Sequence, residues 1–293
     1  MTRGHPARPA GDGPGPETVR VMSLNVCCGL RSPLPPPTDR AAEFCRRIER
    51  SDTGVVNFQE VWTPGLLRFL RRRLPSFPFA AWRAGTAGQP AGGLVTFSRL
   101  PLRSVAYTPF RGARPETGSP AFLGLLTLKS LVQGVLTVEL AGRRTVIGNA
   151  HLTANKDGDW SEGNRHYAFQ RAQLGLLHRA LGRAHRGGAD LTIVSGDFNI
   201  AAEGPLYSSV VDGGAWHDPF RSAARPTFHA DLLPPGQSAR RVDYLLVRGD
   251  LGRHPVTEAA TLFAEPVPLP GGGRSFLSDH LALSARVVIP SAT

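Results

Sequence analysis

The sequence predicts a layered α/β sandwich, in which two β-sheets pack face to face and helices cover their outer sides. Two observations lead to this class. From residue 19 onward, strand-like runs outnumber the helix-like segments with which they alternate, an order that is typical of sheets with helices on the outside. In addition, no internal repeat and no linker divides the 293 residues, so we expect one domain at 19–293.

Strands are predicted where apolar and polar residues alternate, or where short apolar runs end at turn residues. In residues 19–26, Met22, Leu24 and Val26 share one face and Asn25 lies on the other, as in a half-buried strand. The predicted strands are 19–26, 54–60, 92–98, 121–128, 134–140, 144–150, 191–199, 241–247 and 280–289.

Three helices are predicted between these strands. Residues 38–52 repeat apolar side chains at helical spacing. Thr63 and Pro64 form a helix start signal for a short segment that runs to Leu74. Residues 164–185 are the longest candidate, with leucines on one side.

Composition and termini limit the class of protein. The chain is 41% hydrophobic and 19% charged, and no apolar run approaches the length of a membrane span. Residues 1–18 are rich in Gly and Pro and lack a hydrophobic signal core, which predicts a disordered leader. We therefore expect a cytoplasmic protein, with secretion left open if the true start differs. Cys27, Cys28 and Cys45 have no CxxC spacing and are expected to be buried thiols.

The charge of the chain indicates its partners only broadly. A net charge of +11 favours polyanions or anionic membrane surfaces as peripheral partners of an Arg-rich surface. The cluster Arg71-Arg72-Arg73 fits nucleic-acid backbone binding, although a solvated helix face is the favoured explanation. A monomer is expected.

Polar residues occur where the predicted strands end or begin. Each one alone has an ordinary structural explanation, such as a turn, a cap or a satisfied core histidine. Their recurrence at six strand termini indicates instead that they converge at one edge of the sheets. The residues are Asn25, Glu60, His151, Asp197, Asn199, Asp243, Asp279 and His280.

These residue types suit metal-assisted hydrolysis. Glu60 with Asn25 nearby offers hard oxygen ligands for Mg²⁺, and the absence of a Cys or multiple-His cluster argues against zinc. Asp197 and Asn199 are two apart, so on an extended chain they point to the same side and can orient a water and contact a phosphoryl oxygen.

A histidine and its partners complete the reaction. His280 can take the proton of the attacking water, and a carboxylate such as Asp243 can fix the tautomer of the ring. His151 can donate to the phosphate as negative charge develops. Together these groups predict attack of water on a phosphodiester.

Seven motifs now carry a family resemblance. In chain order they are SLNV, FQEVW, SRLPL, GNAHL, SGDFN, RRVDYLLV and SDHLAL. They occur in the order found in the endonuclease/exonuclease/phosphatase superfamily, and the chain resembles that superfamily over about residues 19–289. The resemblance implies the deoxyribonuclease I-like fold, a four-layered α/β sandwich of two packed mixed β-sheets flanked by helices, with the active site at the sheet rim.

The resemblance also implies a role for each residue. Glu60 would be the principal Mg²⁺ ligand, with Asn25 beside it and Mn²⁺ as a possible replacement. Asp279 would lie near the metal. The remaining roles would be water orientation by Asp197, phosphate contacts from Asn199 and His151, and proton abstraction by His280 held by Asp243.

Within the superfamily, the wording of VVNFQEVW, GGLVTFSRLPL and RRVDYLLV is most similar to the neutral sphingomyelinases. Those enzymes carry a Lys-Gly pair where this chain has Gln133-Gly134, with Lys129 four residues earlier. The resemblance favours a hydrolase of phospholipid headgroups. A nuclease, a phosphatase of inositol phosphates and a non-catalytic binder of anionic lipid or nucleic acid are the alternatives.

Overall fold

A computed structural model describes residues 17–29, 34–114, 118–222, 225–269 and 272–291. The predicted leader at 1–18 lies outside these ranges except for its last two residues, and Thr18 already begins the first strand. The strands of the described residues are β1 Thr18–Asn25, β2 Thr53–Gln59, β3 Phe79–Ala81, β4 Val95–Ser98, β5 Leu102–Pro109, β6 Gly134–Leu140, β7 Thr145–His151, β8 Leu191–Asp197, β9 Asp243–Gly249, β10 Val256–Leu262, β11 Val267–Pro268, β12 Arg274–Ser275 and β13 Ala282–Val288. The α-helices are α1 Pro37–Glu49, α2 Pro64–Arg73, α3 Pro120–Val132, α4 Tyr167–Arg186 and α5 Tyr207–Val210.

Two mixed sheets form the centre of the molecule. One has six strands in the order β10-β13-β1-β2-β4-β3, and the other has five in the order β5-β6-β7-β8-β9. Each sheet contains one parallel pair, β1–β2 in the first and β7–β8 in the second, while the other neighbours are antiparallel. The predicted class of two mixed sheets with flanking helices is confirmed.

Three apolar clusters separate four layers. Side chains of α1 and α2, such as Phe44 and Leu70, pack on the outer face of the six-stranded sheet. Leu174 and Leu177 of α4 pack on the outer face of the five-stranded sheet. A third cluster, which includes Val21 of β1, fills the space between the two sheets. The three helix predictions correspond to α1, α2 and α4, with ends that differ by a few residues.

One strand prediction is wrong, because residues 121–128 lie inside helix α3. The segment starts with a good helix signal. The Ser119 side chain accepts a hydrogen bond from the Phe122 amide, and Pro120 occupies the first turn. Leucine, a strong helix former, dominates the rest of the segment, and its continuous apolar run has no strand-like alternation.

The strands that the sequence did not predict lie mostly at sheet edges. β3 and β10 are the edges of the six-stranded sheet, and β5 is an edge of the five-stranded one. β5 and β10 also contain register shifts, near Ser104 and Glu258, where φ is +54° and +52°. Such bulges interrupt the alternation by which a strand is recognised. Within the described ranges, no helix combines the length and apolarity needed to cross a membrane.

Candidate active site

Strand register brings the predicted site residues to one edge of the two sheets. Asn25 at the end of β1 pairs with Gln59, the residue before Glu60. In the other sheet, His151, Asp197 and Asp243 pair in a row across β7, β8 and β9. The Asn25 amide then donates to Asp197 Oδ2 at 3.0 Å and joins the two sheets.

The edge opens into a cavity of about 1100 Å³. Two predicted residues, Asn25 and Asp243, lie beneath the cavity and are buried. The other six line it, namely Glu60, His151, Asp197, Asn199, Asp279 and His280. All eight predicted residues are thus brought together.

Glu60 presents its carboxylate to the cavity from a strained backbone position. Its φ is +63°, a left-handed conformation that few non-glycine residues adopt. Its closest polar contact is the Asn25 amide nitrogen, 3.4 Å from Oε1. Among the described residues, no Lys or Arg forms an ion pair with Glu60. A half-buried carboxylate without a cationic partner is a suitable oxygen ligand for a divalent cation.

Asn25, the predicted metal ligand beside Glu60, contacts both carboxylates of this edge. Its Oδ1 already accepts a hydrogen bond from the Cys27 amide at 3.0 Å, so its NH₂ group must face the carboxylates of Glu60 and Asp197. In this arrangement Asn25 positions the two carboxylates, and its role as a metal ligand beside Glu60 stays a prediction.

Asp197 is the centre of the buried cluster. Its Oδ2 lies 3.6 Å from His151 Nε2 and 3.7 Å from His280 Nε2. Its Oδ1 accepts a hydrogen bond from the main-chain N–H of Asn199 at 2.9 Å. Burial raises the pKa of Asp197 to about 6, although His280 lowers it.

His280 is held between two carboxylates. Its Nδ1 lies 2.8 Å from Asp243 Oδ2, and this contact directs Nε2 toward Asp197 and the cavity. Burial lowers the pKa of His280, but Asp243 and Asp197 outweigh burial and hold the pKa well above its ordinary value. The two carboxylates therefore make the ring more basic than a free imidazole.

The ligand atoms of Asp197, Asp243 and His280 lie within 4.8 Å of one another, so their donor types alone would suit a metal. The hydrogen bond between His280 and Asp243 occupies the space that an ion bound to both would need. The donor and acceptor positions suit a proton relay. Arg241, two residues before Asp243 in the chain, pairs with Asp218 at 2.6 Å.

Asn199 lines the cavity from a turn, and not from the extended strand that the sequence predicts. β8 ends at Asp197, and Asn199 has a φ of +53° in the following turn. The Asn199 side-chain nitrogen Nδ2 donates to the Leu152 carbonyl at 3.0 Å. The Gln170 side chain donates to the main-chain carbonyl of Asn199 at 2.7 Å. The second hydrogen of the Asn199 amide stays available to a ligand in the cavity.

Two residues that the sequence did not single out fix the turns at this edge. Arg40 of α1 is fully buried, and its guanidinium donates to four main-chain carbonyls, those of Val26, Cys27, Pro35 and Leu277, at 2.7–2.9 Å. Ser278 donates to the Asn25 carbonyl and accepts from the His280 amide. Together they connect the turns after β1 and before β13.

Gln133, which stands where the sphingomyelinases carry a lysine, has a structural role. The Gln133 side chain is buried, donates to the Leu152 carbonyl at 3.0 Å and accepts from the Thr153 hydroxyl. Lys129 lies one turn earlier in α3 and is half-buried. The lysine that lines the cavity is Lys156.

Comparison with known proteins gives a family match and a set of similar structures. Residues 22–280 match the profile of the Endonuclease/Exonuclease/phosphatase family. No curated protein gives a significant match to the sequence.

Several solved structures share the fold at low sequence identity. D. rerio TDP2 complexed with single strand DNA product is 18% identical, with a TM-score of 0.65 over 92% of this chain and 98% of that chain. Sphingomyelinase C from Streptomyces griseocarneus is 17% identical, with a TM-score of 0.64 over 92% and 99%. Beta toxin from Staphylococcus aureus is 15% identical, with a TM-score of 0.65 over 91% and 99%. At such identities the likeness shows a common fold.

Proposed function

The chain belongs to the endonuclease/exonuclease/phosphatase family, and on this premise we propose that it is a metal-dependent phosphodiesterase. The observation that carries the proposal is the position of His280. Its ring is fixed by Asp243 at 2.8 Å and faces Asp197 at 3.7 Å, on the floor of a cavity that Glu60 also lines. This arrangement argues against a non-catalytic binder, in which these groups would be separated or blocked.

The donor set fits a magnesium ion, with manganese as the alternative. Glu60 would hold it, with Asn25 beside it and Asp279 as a second carboxylate on the same cavity. A magnesium ion bound there would supply Lewis-acid polarisation of the phosphoryl group.

The side chains of the chain carry the proton transfer. His280 Nε2 accepts the proton of the attacking water, while Asp243 keeps Nδ1 protonated and stabilises the imidazolium that forms. Asp197 orients that water beside both histidine rings. His151 and the Asn199 amide contact the phosphoryl oxygens, where negative charge increases in the transition state.

We favour a phospholipid headgroup as the substrate. Its support is the wording of the motifs shared with sphingomyelinases and the similarity to sphingomyelinase C. Nucleic acid is the second candidate, favoured by the net charge of +11 and by the similarity to a TDP2 complex with single strand DNA product.

One assay tests both the activity and the substrate class. The purified protein is given sphingomyelin vesicles, plasmid DNA and bis-p-nitrophenyl phosphate, each with Mg²⁺ and with EDTA. We expect Mg²⁺-dependent hydrolysis that Glu60→Ala and His280→Ala abolish, with folding checked by circular dichroism. Glu139→Gln, at a half-buried residue paired with Arg103 away from the cavity, serves as the control. Unchanged turnover in either site variant would overturn the assignment.

A further inference from the structure

Helix α3 carries an exposed apolar face. In the described part of the chain, the exposed large hydrophobic side chains are Leu125, Leu128, Leu131 and Val132, with 51%, 60%, 46% and 48% of their surface accessible. All four belong to this one helix. Isolated exposed leucines are ordinary, but four on one short helix form a patch that indicates an interaction surface.

The four side chains form a continuous stripe. Leu125, Leu128 and Val132 are spaced three and four residues apart, so they lie on one side of the helix, and Leu131 borders them. The opposite side is anchored. Leu126 packs with Phe169 of α4, and Arg165 lies over the ring of Phe122 at 4.1 Å. The exposed stripe is therefore the face left over after the helix has packed.

The residue that follows α3 shares a hydrogen-bond acceptor with a residue of the active site. Gln133, directly after α3, donates to the Leu152 carbonyl, which also accepts from Asn199 of the site. Leu233 and Pro234 line the cavity, so its wall includes apolar residues.

The charges around the stripe are complementary to an anionic surface. α3 contains no acidic residue, and its one charge is Lys129. Lys156 lies close enough to lower the pKa of Lys129, after the larger effect of burial. Arg111 and Arg114, both exposed, precede the helix in the chain. Apolar residues bordered by cations are the composition of helices that lie in the headgroup region of a membrane.

We propose that α3 is a membrane-docking helix, whose exposed leucines insert into the surface of an anionic phospholipid bilayer. Its 13 residues lie flat along the surface, because a helix of about 20 Å is too short to span the hydrocarbon core. Docking places the cavity mouth against the lipid headgroups. Only this last consequence rests on the proposed phosphodiesterase function, since binding to the bilayer needs no catalysis.

Vesicle co-sedimentation of the full chain tests the proposal directly. The vesicles are phosphatidylcholine alone and phosphatidylcholine with phosphatidylglycerol at about two to one. We expect binding to the mixed vesicles to be about fivefold to tenfold tighter than to the neutral ones at low salt. Leu125→Gln/Leu128→Gln should weaken binding about tenfold or more. Gln is a good helix former, so the helix is retained.

A matched control uses the same replacement on the same helix. Thr127→Gln changes an exposed polar position and should bind vesicles like the natural chain. The leucine variant should keep its turnover of a soluble phosphodiester, because neither leucine lines the cavity. Circular dichroism verifies the fold of each variant.

Two results would overturn the docking proposal. One is equal vesicle binding by the natural chain and the leucine variant, or none by either. The other is a dimer in analytical ultracentrifugation that the leucine variant makes monomeric, because α3 would then be covered by a second copy. Vesicle binding that depends on the leucines, in a protein that hydrolyses no substrate, would support docking and overturn the proposed function instead.

Discussion

The layer between the two sheets has two halves of different chemistry. The far half, on the side away from the cavity, is apolar and includes Val21, Val55, Ile147, Ile193 and Leu245. The rim half, directly beneath the cavity, is hydrogen-bonded and includes Ser23, Asn57, Gln59, Asn149 and Ser195. Asn57 donates across the layer to Ser195 at 2.9 Å, and Gln59 donates to Asn149 at 2.8 Å.

Each central strand contributes to both halves. The inward side chains of β8 are Leu191, Ile193, Ser195 and Asp197 in that order, so apolar packing changes to hydrogen bonding and then to a catalytic candidate. Since inward positions recur every second residue, this change takes only about 20 Å of strand. The comparison teaches that stability and site geometry are assigned to opposite ends of the same strands, so they should respond separately to mutation.

The largest expected effect is on activity at the rim. Asp243→Asn keeps the shape of the side chain but removes the charge that stabilises the His280 imidazolium. We expect kcat to fall by about 10²–10⁴-fold, with the melting temperature nearly unchanged. Because Asp243 raises the pKa of His280, the acidic limb of the pH–rate profile, on which the rate rises as His280 loses its proton, should also move to lower pH.

The control for that variant lies just beyond the other end of β9. Asp250→Asn changes an exposed carboxylate that pairs with Arg253, and it should leave both kcat and the pH profile unaltered. A natural pH profile in Asp243→Asn would show that His280 does not depend on this carboxylate.

The next effect is on stability in the far half. Ile193→Ala removes a fully buried side chain between the sheets and should lower the free energy of unfolding by about 2–5 kcal/mol. Urea denaturation measures this loss, and Ile193→Val should cost about 0.5–1.5 kcal/mol. The kcat measured below the unfolding transition should stay natural. A large loss of kcat in the folded variant would mean that the halves are coupled.

A smaller effect is expected where the two halves meet. Asn57→Leu keeps the side-chain size but leaves the Gly148 carbonyl and the Thr96 and Ser195 hydroxyls without their partner. We expect a loss of about 1–3 kcal/mol in unfolding free energy, together with a measurable fall in kcat. If the variant is as stable as the natural chain, the hydrogen bonds of the rim half serve geometry alone.

Much of this organisation is visible in the sequence because strands have a period of two. The inward positions of β1 read Val19, Val21, Ser23 and Asn25, so both the strand and its polar end can be recognised from the alternation. The recurrence of polar residues at strand ends predicted one shared edge for all eight site residues, although Asn199 lies in the turn after β8. The orientation of Asn25 was not predictable, because the sequence does not show that the Cys27 amide occupies its oxygen.

Other features have weak signals for identifiable reasons. Arg40 lies four and eight residues before Phe44 and Ile48, which places it on the buried face of α1, but an arginine in that register normally indicates solvent. α3 was predicted as a strand because an apolar run without charges is ambiguous between a strand and a helix. Its exposed leucines follow from tertiary packing, which local patterns do not report.

The smallest effect belongs to an ion pair on α1, outside both halves of the layer. Glu43 contacts Arg46 at 2.6 Å and Arg47 at 2.7 Å, and the Arg46 hydrogen bond, opposed by burial, lowers the pKa of Glu43 to about 2. A depressed pKa stabilises the fold above the unfolded pKa near 4.5 and loses that contribution as the pH falls toward 2. Both arginines are more than one third exposed, so solvent screening limits the contribution to less than about 1 kcal/mol.

Glu43→Gln should therefore be slightly less stable than the natural chain in urea at pH 7 and equal to it near pH 2. A difference that persists at the acidic end would assign the effect to packing of α1 and leave the ion pair without a role.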